Sequence, residues 1–281
     1  MPTISPISPV LVTGATGKTG TRVTGGLEAR GVTVRAASRS GPVPFDWDDR
    51  STWGAALEGA AGLSIAYAPD VAVPGAAETV EALAAAAVEA GVQRIVLLSG
   101  RGEEEAERSE RLVQAAAPQA TVVRAAFFMQ NFSESLFLEN ILDGELALPV
   151  GDVREPFVDA GDVAAAMVAA LTEDGHAGRI HEVTGPRLLS FAEAIAEIGA
   201  AAGREVEYVT VPAADYRAAL DGAGLPDDVA GLLMYLFSEV LDGRNASLTD
   251  GVREATGRAP RDFADYAAAV AASGAWDPAR V

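Results

Sequence analysis

The sequence predicts an α/β protein, a doubly wound parallel sheet followed by a smaller, mostly helical lobe. Three observations carry that expectation. Short apolar runs alternate with segments of helical period through the first half of the chain. The runs are apolar throughout, as strands covered on both faces are, and do not alternate with polar residues. The first of them, Val10-Leu11-Val12, leads directly into a turn with three glycines, Gly14-Ala15-Thr16-Gly17-Lys18-Thr19-Gly20.

Taken in order, Val10–Val12 is the first strand and Thr19–Ala29 the helix behind it. Val32–Ala37 is the second strand, Val43–Phe45 a weaker third, and Ser51–Gly59 a short helix. Leu63–Tyr67 is the fourth strand. Glu78–Ala90 is a helix stopped by Gly91, a residue suited to the left-handed turn that ends helices. Arg94–Leu98 is the fifth strand, Glu103–Ala117 a charged helix, and Thr121–Arg124 the sixth strand. Beyond this point the rhythm breaks. Phe127–Leu142 reads as largely helical, Val163–Leu171 as an alanine-rich helix, Arg179–Val183 as a strand, and Phe191–Ala201 as a helix. Val206–Val211 is a further strand, with helices near Ala213–Leu220 and Asp228–Leu241. The expected division is residues 1–150 for the sheet domain and 151–281 for the lobe, with about 156–185 returning to the first.

Composition removes whole classes of function. The chain of 281 residues has 21 basic and 40 acidic residues, a net charge of −19. Nucleic acids and anionic membranes are therefore unexpected partners, because binding them requires cations against phosphates. With no cysteine, the chain has no disulfide, thiolate metal site or thiol nucleophile. Only two histidines are present, His176 and His181, and their spacing of five is not that of metal ligands on a helix. Lys18 is the only lysine. Met1–Pro9 lacks the basic start and apolar stretch of a signal peptide. The longest uncharged apolar run, the nine residues Val163–Leu171, falls far short of the roughly 20 needed to cross a bilayer. A cytoplasmic protein, monomeric or homodimeric, is expected.

The glycine turn is the most informative segment. Gly14 suits the tight turn, Gly17 leaves room for a pyrophosphate to meet the backbone, and Gly20 allows close helix–strand packing. The helix N-terminus adds N–H groups and a positive dipole end. At the end of the second strand, NAD sites place Asp or Glu against the ribose 2′-hydroxyl. This chain has Ser38-Arg39 there, 19 residues after Gly20. A guanidinium grips a 2′-phosphate that a carboxylate would repel, so NADP is the expected cofactor, with Lys18 and Arg35 as further charges. Asp46, after the third strand, suits an adenine amino group or a helix cap; Asp48 and Asp49 suit the cap. The expected cofactor set is Gly14, Thr16, Gly17, Lys18, Thr19, Gly20, Ser38, Arg39, Asp46, Ala68, Pro69, Ser99 and Gly100. The last four follow or end the fourth and fifth strands.

These residues together resemble the NmrA-like group of atypical short-chain dehydrogenases/reductases. The likeness is carried by VTGATGKTG at 12–20, AASR at 36–39, FDWDD at 45–49, RIVLLSG at 94–100, TVVRAAFFMQNF at 121–132, PFVDAGDVA at 156–164 and GRAPRDFADY at 257–266. The resemblance implies a Rossmann domain, a small substrate lobe and a nicotinamide cofactor. Members of that group reduce quinones and related molecules, or bind the dinucleotide as regulators without turning it over. It also implies that Ser99 lies where an active-site serine or its neighbour sits. One departure is clear. The Tyr-x-x-x-Lys pair of most short-chain dehydrogenases is missing, for no tyrosine occurs between Tyr67 and Tyr208, and the aligned positions are Gly102 and Ala106.

A plain ketone needs a positioned acid, whereas a quinone yields a hydroquinone anion about as acidic as a tyrosine, near ~10. The expected substrate is therefore a small aromatic or conjugated molecule, the expected reaction NADPH-dependent hydride transfer, and the alternative a non-catalytic sensor of NADP(H). Phe127, Phe128, Met129 and Asn131 follow the sixth strand, at the edge where open α/β sheets bind ligands. Phe157 is a further substrate candidate. These aromatic residues are also core candidates. The glutamates Glu103, Glu104, Glu105 and Glu107 read as a solvated helix face, with Glu103 as general acid the lesser reading. Asp159 and Asp162 form either a carboxylate pair or a helix cap.

Overall fold

A computed structural model describes the backbone of residues 8–134 and 137–280. The first elements are β1 (Val10–Val12), α1 (Lys18–Ala29), β2 (Val34–Ser38), β3 (Val43–Pro44), α2 (Trp53–Leu57), β4 (Gly62–Ile65), α3 (Ala76–Glu89), β5 (Arg94–Gly100), α4 (Glu104–Ala116) and β6 (Thr121–Ala125). Then come α5 (Phe137–Asp143), β7 (Glu145–Leu148), β8 (Arg154–Glu155), α6 (Ala160–Thr172), β9 (Ile180–Val183), β10 (Leu189–Ser190), α7 (Phe191–Ala202) and β11 (Glu207–Thr210). The chain closes with α8 (Ala213–Gly222), α9 (Asp227–Tyr235), α10 (Gly251–Thr256) and α11 (Phe263–Ser273).

Seven strands form one parallel sheet in the order β3-β2-β1-β4-β5-β6-β9. The order reverses between β1 and β4, so crossovers of one hand place helices on opposite faces. Accordingly α1 packs on α6, and α3 packs on α4. The strands are buried because both faces are covered; Val10, Leu11, Val12, Leu63, Ile65, Val96, Leu97, Val122 and Val123 are sealed from solvent or nearly so. This is the Rossmann-type doubly wound fold that the alternation predicts.

The chain divides into two compact units. The first comprises the described part of Met1–Ala125 with Ala160–Val183 and Asp250–Ala259; the second is Ala126–Asp159, Thr184–Thr249 and Pro260–Val281. The first break therefore falls after β6, earlier than the expected residue 150. The reason is the aromatic content of the next stretch. Phe132 and Phe137 bury their rings with Phe157, Phe191 and Phe263 in a second core, so residues 126–159 pack within the second unit. The second unit holds α5, α7, α8, α9 and α11 with two small sheets, β10-β8 and β11-β7.

Phe127–Leu142 is not one helix. It contains a 3₁₀ turn over Met129–Phe132 and then α5; residues 135 and 136 lie outside the described ones, as do 1–7. The short strands β7, β8 and β10 carry no alternation that sequence periodicity detects. Helix α10 belongs to the first unit, starting at Gly251, where a Cβ would sit 2.0 Å from the Glu182 carbonyl oxygen of β9.

Candidate functional site

The C-terminal edge of the sheet carries the glycine turn. Thr13 is buried and ties that turn to the neighbouring strand. Its hydroxyl accepts from the Ala66 N–H at 2.9 Å and lies 3.2 Å from the Ser64 carbonyl. Gly14 has φ +59°, a left-handed conformation, and a Cβ there would come within 3.0 Å of the Ala66 carbonyl oxygen. At Gly20 a Cβ would stand 2.1 Å from the Gly14 carbonyl oxygen, so the helix–turn contact permits glycine alone. Gly17 differs. A Cβ there meets only the Gly14 oxygen at 3.3 Å, and the residue is exposed. The fold thus makes little demand on Gly17, and the missing side chain keeps the outer face of the turn open.

Gly17 is the N-cap of α1, and no side chain caps the helix. Its first-turn N–H groups have no acceptors within the helix, so the open face presents donors and the positive dipole end. These features fit a dinucleotide pyrophosphate. Thr16 is exposed, Lys18 half-buried at the first helical position, and Thr19 buried. Sequence reading missed Arg22, whose guanidinium folds back one turn to donate to the Lys18 carbonyl at 2.8 Å and so brings a cation to the same helix end.

Ser38 ends β2 and Arg39 follows it, exposed. Among the described residues Arg39 has neither an ion pair nor a side-chain hydrogen bond, so its guanidinium is available to an anion. Arg35 is not available in this way. It donates to the carbonyls of Glu58 and Ala55, the latter at 3.0 Å, and so ties β2 to the end of α2. Asp46 accepts the Asp48 N–H at 3.1 Å with one carboxylate oxygen, while Asp49 caps the following 3₁₀ turn through Ser51. Ala68 and Pro69 are exposed just beyond β4.

Ser99 and Gly100 are the last residues of β5. The Ser99 hydroxyl is buried and donates to Glu110 at 2.7 Å. Glu110 also takes two bonds from Arg124, whose third reaches Glu182, itself bonded to Arg101 at 2.6 Å. This placement commits the Ser99 proton to a network that joins β5, α4, β6 and β9, which is a structural duty.

Glu103 departs most from the sequence reading. It precedes α4 as N-cap but does not share the solvated face of Glu104, Glu105 and Glu107. Glu103 is 8% exposed, and among the described residues its Oε2 has no hydrogen-bond partner. Its carboxyl covers Gly100 so closely that a Cβ on Gly100 would lie 2.0 Å from Oε1. Burial, and then the charge of Asp70 beyond β4, push its pKa up to about 8. Asp70 is likewise raised by burial, offset by its bond from the Ala72 N–H at 2.9 Å.

In the second unit Phe157 and Met129 are core. Phe157 is 1% exposed and packs against Phe127, Phe132, Phe191 and Phe263. Phe127 is half-buried against the same cluster. Phe128 and Asn131 are also partly exposed, and the Phe128 backbone bridges to Val158. Asp159 pairs with Arg261 at 3.1 Å and Asp162 with Arg258 at 3.6 Å, so each has its own cation. Among the described residues no group of three or more His, Asp or Glu is placed to hold a metal, and no helix is long and apolar enough to cross a membrane.

The NmrA-like family model matches residues 7–266, nearly the whole chain. The chain belongs to the NmrA-like family. The NmrA-like protein is 35% identical over 276 residues to YesF of Bacillus subtilis, an oxidoreductase of uncharacterised activity; the match spans 94% of this chain and 96% of YesF. It is 33% identical to an NAD(P)H azoreductase of Xenophilus azovorans, over 88% of this chain and 85% of that one. In fold the NmrA-like protein resembles the NADPH-dependent quinone oxidoreductase QOR2 of Escherichia coli, solved with NADPH. That match has a TM-score of 0.77 and 23% identity, over 93% of this chain and 99% of the other.

Proposed function

We propose that this protein is a reductase that uses NADPH to reduce a quinone or another conjugated small molecule. The observation that carries the reading is the open glycine turn combined with an unengaged Arg39 where NAD sites hold a carboxylate. The relatives support it, since one is an NAD(P)H azoreductase and the solved likeness is an NADPH-dependent quinone oxidoreductase.

In this reading the N–H groups at the start of α1 bind the pyrophosphate, with Lys18 and Arg22 supplying charge. Arg39 and Ser38 bind the 2′-phosphate, and Ala68, Pro69 and Gly100 border the nicotinamide half. The bound cofactor supplies hydride. Phe128, Phe127 and Asn131 are the substrate candidates that keep some exposure, whereas Phe157 shapes the lobe from within.

Two measurements test this. Calorimetry with NADPH and NADH should show binding of both, with NADPH preferred. Arg39→Ala should weaken NADPH about 30-fold, the worth of one charge-assisted contact, and NADH by less than about twofold. Loss of absorbance at the reduced-nicotinamide band should follow with quinones, azo compounds, enones or iminium ions. Binding without turnover on any acceptor would replace the reductase with a cofactor sensor, and no heat with either dinucleotide would overturn both readings.

A further inference from the structure

The sequence lacks the tyrosine that short-chain dehydrogenases use as acid, yet a buried carboxyl stands at the same edge of the sheet. Three observations fix its place. β4 and β5 are parallel neighbours, paired Ile65 to Leu97, so Asp70 and Glu103 follow the C-terminal ends of adjacent strands. These ends share the edge with the turn after β1, which pairs with β4 at Val12 and Ser64. The Glu103 carboxyl lies directly over Gly100, the last residue of β5, and its Oε2 is buried with no hydrogen-bond partner among the described residues.

We propose that Glu103 is the proton donor of this reductase, with Asp70 as the neighbour that keeps it protonated. The inference rests on the reductase reading above. Hydride would come from the reduced nicotinamide when it is bound. Glu103 holds its proton on a carboxyl oxygen and gives it to the acceptor oxygen or nitrogen that receives the displaced electron pair. The carboxylate left behind regains its proton from water. Acceptor plus hydride plus proton gives the reduced product, and no further reagent is needed.

The surroundings support a neutral acid. An ionised carboxylate at Oε2 would stand in a low-dielectric site without a donor, which desolvation disfavours. Asp70 is the acidic group facing it from the β4 side. The neighbouring charges of α3 and α4 are engaged elsewhere. Arg108 binds Glu78 and Glu105, and Glu110 binds Arg124 and Ser99. Gly100 is needed beneath it, because any side chain there would displace the carboxyl.

The test uses the whole protein with NADPH, a quinone, and an iminium ion that hydride alone converts to a neutral amine. Glu103→Gln keeps the shape and removes the acid. It should lower kcat with the quinone about 100-fold, in the range of a lost general acid, and lower kcat with the iminium ion far less. The wild type should lose kcat with the quinone above about pH 8, and Asp70→Asn should move that limb to lower pH. A second readout needs no cofactor. A carboxyl with a raised folded-state pKa favours folding below its unfolded value and loses that contribution as pH rises through its folded value. Between pH 6 and 9, therefore, the wild type should lose thermal stability relative to Glu103→Gln. An active wild type with Glu103→Gln equally fast on both acceptors, or a parallel stability profile for the two proteins, would overturn the proposal. A wild type that binds no NADPH would instead overturn the reductase reading.

Discussion

At the scale of single residues, two glycines three positions apart serve different ends. A Cβ on Gly20 overlaps the Gly14 carbonyl oxygen at 2.1 Å, whereas one on Gly17 meets that oxygen at 3.3 Å and otherwise faces solvent. Gly20→Ala should destabilise the fold by about 2 kcal/mol through overpacking. Gly17→Ala should leave the melting temperature nearly unchanged while weakening NADPH at least about tenfold, since the added methyl occupies the phosphate's approach. Thermal unfolding and calorimetry on both variants separate the two roles. His176 and His181 make a second residue-scale case. Their rings share a buried 3.0 Å hydrogen bond, which requires one to accept. Burial, and then the neighbouring His176, lower His181 to about 4 from an unfolded value of 6.5. The neutral pair's contribution is therefore complete above pH 6.5 and is lost as pH falls toward 4. The loss should reach about 3 kcal/mol. Denaturant unfolding of the wild type between pH 7 and 4 should be steeper in pH by that amount than that of the double variant His176→Gln, His181→Gln. The sequence showed these histidines as a spacing that fails metal binding; that they bond each other required the fold.

Secondary-structure elements were legible to different degrees, and the reason is physical. β1, β4, β5 and β6 are covered on both faces, so each appears as an apolar run, and α3 ends at a glycine as its sequence predicts. The strands β7, β8 and β10 are two to four residues long and lie in pairs outside the main sheet, too short for a period to register. Element ends also shifted. β5 runs on to Gly100, placing Ser99 inside the strand, where its hydroxyl joins Glu110, Arg124, Glu182 and Arg101. That network ties four elements, and its centre is a carboxylate 3% exposed at the side chain. Glu110→Ala should therefore destabilise the protein by about 3 kcal/mol by leaving Arg124 half-buried and less compensated. Ser99→Ala removes one hydrogen bond and should cost about 1 kcal/mol. Denaturation midpoints on the two variants check the ratio. Ser99→Ala with turnover reduced by orders of magnitude would return the serine to the chemistry.

For the whole molecule, a charge of −19 on 281 residues means net self-repulsion. Screening shortens its reach to about 10 Å at 0.1 M salt, so the melting temperature should rise by a few degrees between 10 and 300 mM sodium chloride in differential scanning calorimetry; a fall would show that the many arginine–carboxylate pairs outweigh the excess. In the proposed reading, the same excess gives weight to each cation near the glycine turn. Of the 21 basic residues, most of those described bind carboxylates of their own unit, while Arg39 does not. The amino-acid order alone determined the doubly wound sheet, the glycine turn after β1, the arginine at the end of β2 and the missing tyrosine. Each is a local matter of apolar runs, glycine positions and residue type at a known spacing. Tertiary structure decided which unit residues 126–159 join, that Phe157 is core, that the Ser99 proton is committed, and that Glu103 leaves the solvated face of its helix to lie buried over Gly100. These depend on burial and on partners distant in sequence, and a carboxyl's protonation is set by the groups around it, which no local pattern of residues records.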